Sequence, residues 1–78
     1  MKTVRVYVTP KRGVLDPQGK AIQTNLKLRG YEGVHDVSFG KFIELQMDDS
    51  QTESVDQICK RLLANLVIED YRYEILDQ

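Results

Sequence analysis

Four short runs with period-two apolar alternation and two stretches with helical spacing follow each other in the order β-α-β-β-α-β. Together they predict an α+β domain spanning residues 1–78, with a four-stranded antiparallel sheet and two helices packed on one of its faces. The first run sets the frame. Val4, Val6 and Val8 alternate with Arg5, Tyr7 and Thr9, as in a half-buried strand, and Pro10 ends it because proline cannot donate to a ladder.

Asp16-Pro17 predicts a helix start. Asp at the N-cap accepts a bond from a free backbone N–H, and proline at the first helical position has no N–H to leave unpaired. Ala21, Ile22 and Leu26 then form an apolar stripe, with Thr24 or Leu28 at its margin, and Gly30 is placed to close the helix in a left-handed conformation. Val34 to Met47 predicts a hairpin turning at Gly40-Lys41. A three-residue loop, Gly40-Lys41-Phe42, pairs Phe39 with Ile43 and Val37 with Leu45, gathering Val37, Phe39, Ile43, Leu45 and Met47 on one face. A two-residue loop would split them, since a one-residue slip inverts every side chain.

Ser50-Gln51-Thr52-Glu53 matches the capping box and predicts the second helix start. Val55, Ile58, Cys59, Leu62 and Leu66 follow at helical spacing, with an end near Asn65. Tyr71, Tyr73 and Ile75 alternate with Arg72 and Glu74 in a last strand. This order is the split βαβ arrangement of ferredoxin-like folds. It leaves one sheet face bare, carrying Arg5, Tyr7, Phe42, Glu44, Arg72 and Glu74. The apolar bodies of Tyr7 and Phe42 there predict contact with a second copy or a partner chain.

With 78 residues, the chain buries only about 60–65% of its unfolded surface, so self-association is an expected supplement to its stability. A net charge of −1 with interspersed acids and bases supplies no basic field for nucleic acid. No apolar stretch approaches the roughly 20 residues that span a bilayer, and Met1 leads straight into a charged run. A single cysteine, Cys59, excludes an internal disulfide and fits a reducing compartment, so a cytoplasmic location is expected. On the helix stripe Cys59 is expected to be a core residue. His35, the one histidine, cannot build a metal site without other ligands, and the acidic pairs Asp48-Asp49 and Glu69-Asp70 read as turn and cap residues.

The stretch Pro10 to Gly19 is longer and chemically richer than a strand-to-helix connection of about 2–6 residues requires. A basic pair before a helix N-terminus can meet an anion. Asp16 would repel a phosphate there, however, and no glycine-rich phosphate loop is present, so a protein contact is the better reading.

Pro10-Lys11-Arg12-Gly13-Val14-Leu15-Asp16-Pro17-Gln18-Gly19 resembles the signature of the PurS subunit of phosphoribosylformylglycinamidine synthase. Asp36-Val37-Ser38-Phe39-Gly40-Lys41 with Glu44-Leu45, Leu62-Leu63-Ala64-Asn65 and Val67-Ile68-Glu69-Asp70-Tyr71 are similar to further segments of that family, although Ser38 stands where the family often has a basic residue. The resemblance implies a non-catalytic subunit with no cofactor of its own. It implies a glutaminase subunit that releases ammonia from glutamine. It also implies a large synthetase subunit that uses ATP and magnesium to convert formylglycinamide ribonucleotide into formylglycinamidine ribonucleotide. The small subunit, a homodimer or homotetramer, is expected to bridge the two and assist ammonia transfer. By position, Lys11, Arg12, Val14, Leu15, Asp16, Gln18 and Lys41 are the candidates for contact with those subunits, and Tyr7, Phe42 and Arg72 for self-association. The competing reading is a regulatory ferredoxin-like module that binds a small metabolite. An RNA-binding sheet is disfavoured by Glu44 and Glu74 beside the aromatics, and a small phosphatase by Asp16.

Overall fold

The computed structural model of the chain describes residues 1–77, apart from the Glu53 side chain. Strand β1 (Lys2–Pro10) lies in the middle of a three-stranded antiparallel sheet, flanked by β2 (Lys41–Met47) and β3 (Glu69–Asp77). Valine at every second position makes β1 the centre of the core. Val4 sits opposite Leu45 and Ile75, Val6 opposite Ile43 and Tyr73, and Val8 opposite Lys41 and Tyr71. Val4, Val6 and Val8 are completely buried.

The predicted four-stranded sheet does not form. Residues 34–40 make no strand, and Lys41 and Phe42, expected in a hairpin loop, are the first residues of β2, paired with Val8 and Tyr7. The expected pairs Phe39–Ile43 and Val37–Leu45 are therefore absent. The cause is competition for the backbone. The Phe39 N–H donates to the Asp16 carboxylate at 2.9 Å, and the His35 carbonyl accepts from Gln23 Nε2 at 2.8 Å. Gly40 presses so closely on β1 that a Cβ would run into the Val8 carbonyl oxygen. The chain is thereby led onto β1 instead of turning back on itself.

Helix α1 (Pro17–Leu28) begins and ends where the sequence predicts. Asp16 Oδ1 accepts from the Gly19 N–H at 3.0 Å. At the other end Gly30 has φ +89°, with Gly30 N–H bonding the Lys27 carbonyl and Tyr31 N–H the Leu26 carbonyl. That is the Schellman pattern, which satisfies the last free carbonyls of a helix. The expected packing of α1 on the sheet is absent. Gly19 is its only buried residue, and Ile22 and Leu28 are exposed.

The second helical stretch does cover the sheet. It runs from a 3₁₀ segment (Asp49–Ser54) through α2 (Val55–Ile58) into a π turn (Cys59–Leu63). Ser50 lies inside the 3₁₀ segment rather than at its N-cap, and the Glu53 half of the predicted capping box falls outside the described residues. Val55 and Cys59 are fully buried against the three valines of β1, with Leu63 and Ala64 packed beside them. The expected stripe continued through Leu62, which instead stands 80% exposed. The π turn explains the change. Ala64 N–H bonds the Cys59 carbonyl five residues back, at 2.9 Å, so the wider turn brings Leu63 and Ala64 inward in place of Leu62.

The molecule is accordingly thin and long, 49 × 28 × 14 Å, with a radius of gyration of 15.8 Å. A compact domain of this length would have about 11–12 Å. Half of the expected helical cover lies beside the sheet, not on it.

Candidate interaction surfaces

Two surfaces are built from the residues singled out in the sequence. The first lies where β1 hands over to α1. Lys11 N–H bonds the Ile68 carbonyl at 2.8 Å, and the Val14 N–H closes a turn onto the Lys11 carbonyl at 3.1 Å. Gly13, third in that turn, has φ +85°, the conformation a type II turn requires there and one that side chains resist. The turn projects Arg12 into solvent, where it has no ion-pair partner among the described residues.

Asp16 is the joint of this region. Its two carboxylate oxygens hold the first turn of α1 and residue 39 of the following segment together. Gly19 must be glycine for the same reason. A Cβ there would meet the Asp16 carboxylate and sit 2.7 Å from the Val37 carbonyl oxygen. The result is a hollow of about 280 Å³ floored by Lys11, Arg12, Val14 and Asp16 on one side and Asp36, Val37 and Ser38 on the other. Leu15, 82% exposed, opens onto a neighbouring hollow of about 260 Å³. Four of the seven candidates are thus brought together. Gln18 is exposed on the first turn of α1 and does not line the hollow, and Lys41 lies elsewhere, its ammonium 3.4 Å from the Leu63 carbonyl and 3.5 Å from Glu69.

The second surface is the bare sheet face. Strand register sets Phe42, Tyr7 and Arg72 side by side in one row and Glu44, Arg5 and Glu74 in the next. The Tyr7 and Phe42 ring centres are 5.3 Å apart, and the Arg72 guanidinium lies 3.9 Å over the Tyr7 ring. Arg5 pairs with Glu44 at 3.1 Å, and Arg72 contacts Glu74 at 3.4 Å. The three self-association candidates therefore form one contiguous patch, with their charges largely matched within it.

Two further groupings escaped the sequence reading. The Tyr71 hydroxyl donates to Asp56 Oδ1, and Lys60 pairs with the same carboxylate at 2.9 Å, tying β3 to the second helical stretch. The bond from Tyr71, then that from Lys60, holds the Asp56 carboxyl below its usual range. The same bond to Asp56 pushes the Tyr71 hydroxyl up to about 12. Burial raises the Cys59 thiol, the setting of an inert core cysteine. The other grouping is the Asn65–Glu69 turn, where the Glu69 carboxylate accepts from the Asn65 N–H at 2.7 Å. Its only signal in the sequence was an Asn and a Glu four residues apart around three aliphatics. Among the described residues no His, Cys, Asp and Glu group converges as a metal site. No helix among them is long and apolar enough to cross a membrane.

Fold and surfaces together define a small α+β interaction module, with its distinctive chemistry displayed on surface turns and a bare sheet face. Comparison with known proteins gives the particular family. The PurS family, described as phosphoribosylformylglycinamidine (FGAM) synthase, matches residues 3–77, and the chain belongs to it. The chain is 49% identical over 78 residues to the phosphoribosylformylglycinamidine synthase subunit PurS of Bacillus subtilis, covering 96% of this chain and 93% of that protein. A crystal form of B. subtilis PurS superposes with a TM-score of 0.88 at 48% identity, covering 99% of this chain and 100% of that one. A chain in the structure of PurLQS from Thermotoga maritima matches at 27% identity and a TM-score of 0.77, covering 97% of this chain and 99% of that one.

Proposed function

We propose that this chain is the small subunit of a phosphoribosylformylglycinamidine synthase of purine biosynthesis, joining a glutaminase and an ATP-dependent synthetase into one assembly. The observation that carries the proposal is the surface a single chain leaves uncovered. An α1 stripe without a sheet beneath it, an aromatic row on the open sheet face and an exposed loop all belong to a protein completed by others. Its family match along nearly the whole chain names the others by analogy with PurLQS.

The chemistry it serves is the transfer of ammonia between two sites. Ammonia released into water is protonated and diluted, whereas two sites held in register deliver it as the free base at high effective concentration. In this reading the chain contributes geometry. Lys11, Arg12, Val14 and Leu15 meet a larger subunit, while Tyr7, Phe42 and Arg72 meet a second copy in a cytoplasmic homodimer or homotetramer. ATP, magnesium and glutamine belong to the partners.

Reconstitution tests this directly. Glutaminase and synthetase are assayed with glutamine, and separately with ammonium, in the presence and absence of the chain. Glutamine-dependent turnover should require it and ammonium-dependent turnover should not. Undiminished glutamine-dependent turnover without the chain refutes the bridging role.

A further inference from the structure

One end of the sheet gathers three chain crossings, where β1 leaves at Pro10, β2 enters at Lys41 and β3 enters at Glu69. The candidate loop springs from this end. Its turn is closed on itself by the bond from the Val14 N–H to the Lys11 carbonyl, so its pose depends on what holds its two ends. At the near end the Lys11 N–H bonds the Ile68 carbonyl at 2.8 Å, one step beyond the last pair of the β1–β3 register, Pro10 with Glu69. At the far end Asp16 holds the Phe39 N–H at 2.9 Å.

Both attachments lead to one carboxylate. Glu69 Oε1 accepts from the Asn65 N–H at 2.7 Å, closing the turn in which the Ile68 and Glu69 N–H groups bond the Asn65 carbonyl. That turn fixes the Ile68 carbonyl that Lys11 uses. Glu69 Oε2 pairs at 3.5 Å with the ammonium of Lys41, two residues after Phe39. A ring thus runs from Lys11 through Ile68, Glu69, Lys41 and Phe39 to Asp16, with the loop as its remaining side. Glu69 is also the least exposed carboxylate among the ion pairs of the described residues, at 20%. A partly exposed ion pair adds little to folding stability. Holding a loop in one pose, in contrast, spares the ordering entropy that binding would otherwise cost.

We infer that Glu69 is a positioning residue for the Lys11–Leu15 loop, joining its two attachments through Lys41 and the Ile68 carbonyl and so raising the loop's affinity for a larger partner subunit. The inference rests on the proposed assembly, in which this loop meets such a subunit, and deepens it. Lys41 is then a strut of the ring and not a contact of its own.

The experiment titrates the chain into glutaminase and synthetase and reads its half-saturating concentration in glutamine-dependent turnover, with melting temperatures on the same samples. Arg12→Ala removes a loop contact and should raise that concentration about tenfold. Glu69→Gln and Lys41→Met leave the loop's own residues intact and should raise it about two- to fivefold, with saturating turnover and melting temperature close to wild type. Lys41→Arg keeps the charge and should titrate as wild type. In this reading Glu69 serves Arg12 through the ring, so Arg12→Ala should cost a smaller factor in the Glu69→Gln background than in wild type. Independent effects would multiply instead. Wild-type titration by Glu69→Gln, factors that multiply, or Lys41→Arg as weak as Lys41→Met overturns the positioning role. Should Glu69→Gln fail to fold, Lys41→Met combined with Arg12→Ala decides by the same readout. Failure of both to fold makes the ring structural and overturns the inference. If turnover does not require the chain, or Arg12→Ala titrates as wild type, it is the assembly reading that fails, and the inference falls with it.

Discussion

The Asp16 carboxylate performs two tasks that a pair of substitutions can separate. Oδ1 caps α1 through the Gly19 N–H, and Oδ2 holds residue 39 through its N–H. Asp16→Ala removes both. Loss of an N-cap costs about 1 kcal/mol, and loss of a hydrogen bond from an exposed amide that water can replace costs about 0.5–1 kcal/mol. Because α1 has little sheet contact to share the loss, the effect should stay local. A 12-residue helix is marginal when its ends are free, so the population of frayed α1 should rise about 10- to 30-fold. Asp16→Asn should behave differently. Asn caps as well as Asp, but it has a single acceptor oxygen, so its amide would oppose the Phe39 N–H donor to donor. Amide hydrogen exchange reads both. In Asp16→Ala the amides of α1 should lose tenfold or more in protection while those of β1 change little. In Asp16→Asn the α1 amides should stay within about twofold of wild type and Phe39 alone should lose protection. Equal loss in the two variants, or unchanged α1 protection in Asp16→Ala, would refute the assignment of both roles to this side chain.

Glycine contrast offers a second check. Gly19→Ala forces a methyl against the Asp16 carboxylate and the Val37 carbonyl and should destabilise the junction, whereas Gly33→Ala meets open space and should leave the melting curve unchanged. Val6→Ala opens a void at the centre of the core and should cost about 2 kcal/mol, or roughly 8–16 °C in melting temperature for a domain of this size. The Asp56–Tyr71 bond predicts a pH window. Asp56, held below its ordinary range, stabilises above the unfolded carboxyl pKa and loses that contribution as pH falls through its folded value. Tyr71, raised to about 12, stabilises below 10 and loses its contribution as pH climbs through 12. Tyr71→Phe should therefore flatten the melting temperature against pH at both ends, and an unchanged profile would remove the bond from the account.

What the amino-acid sequence determined by itself is everything that neighbours along the chain can settle. The valine alternation of β1 reflects the two faces of a strand. The ends of α1 follow from Asp16, Pro17 and Gly30, each acting within one turn of the helix. Cys59 belongs in the core because it lies one helical turn after Val55 on the same face, and Tyr7, Phe42 and Arg72 share a face because strand parity puts them there. The candidate loop was legible for the same reason, as composition out of keeping with a simple connection.

Tertiary structure decided which distant groups win each partner. The Phe39 N–H could have joined a hairpin ladder or bonded Asp16, and no local signal in Val34–Phe39 records that the carboxylate 23 residues earlier takes it. With that strand lost, the sheet has three strands and α1 rests beside it. The π turn at Cys59–Leu63 likewise shifts the buried position from Leu62 to Leu63 and Ala64, because packing against Val4, Val6 and Val8 outweighs the regular helical period. The Asn65–Glu69 turn was invisible for the same cause. Leu66 reads as the end of the buried helix stripe until the bonds of Asn65 and Glu69 are seen to close a turn that leaves it exposed. Periodicity prescribes faces; competition among remote donors and acceptors decides which of those faces are covered, and by what.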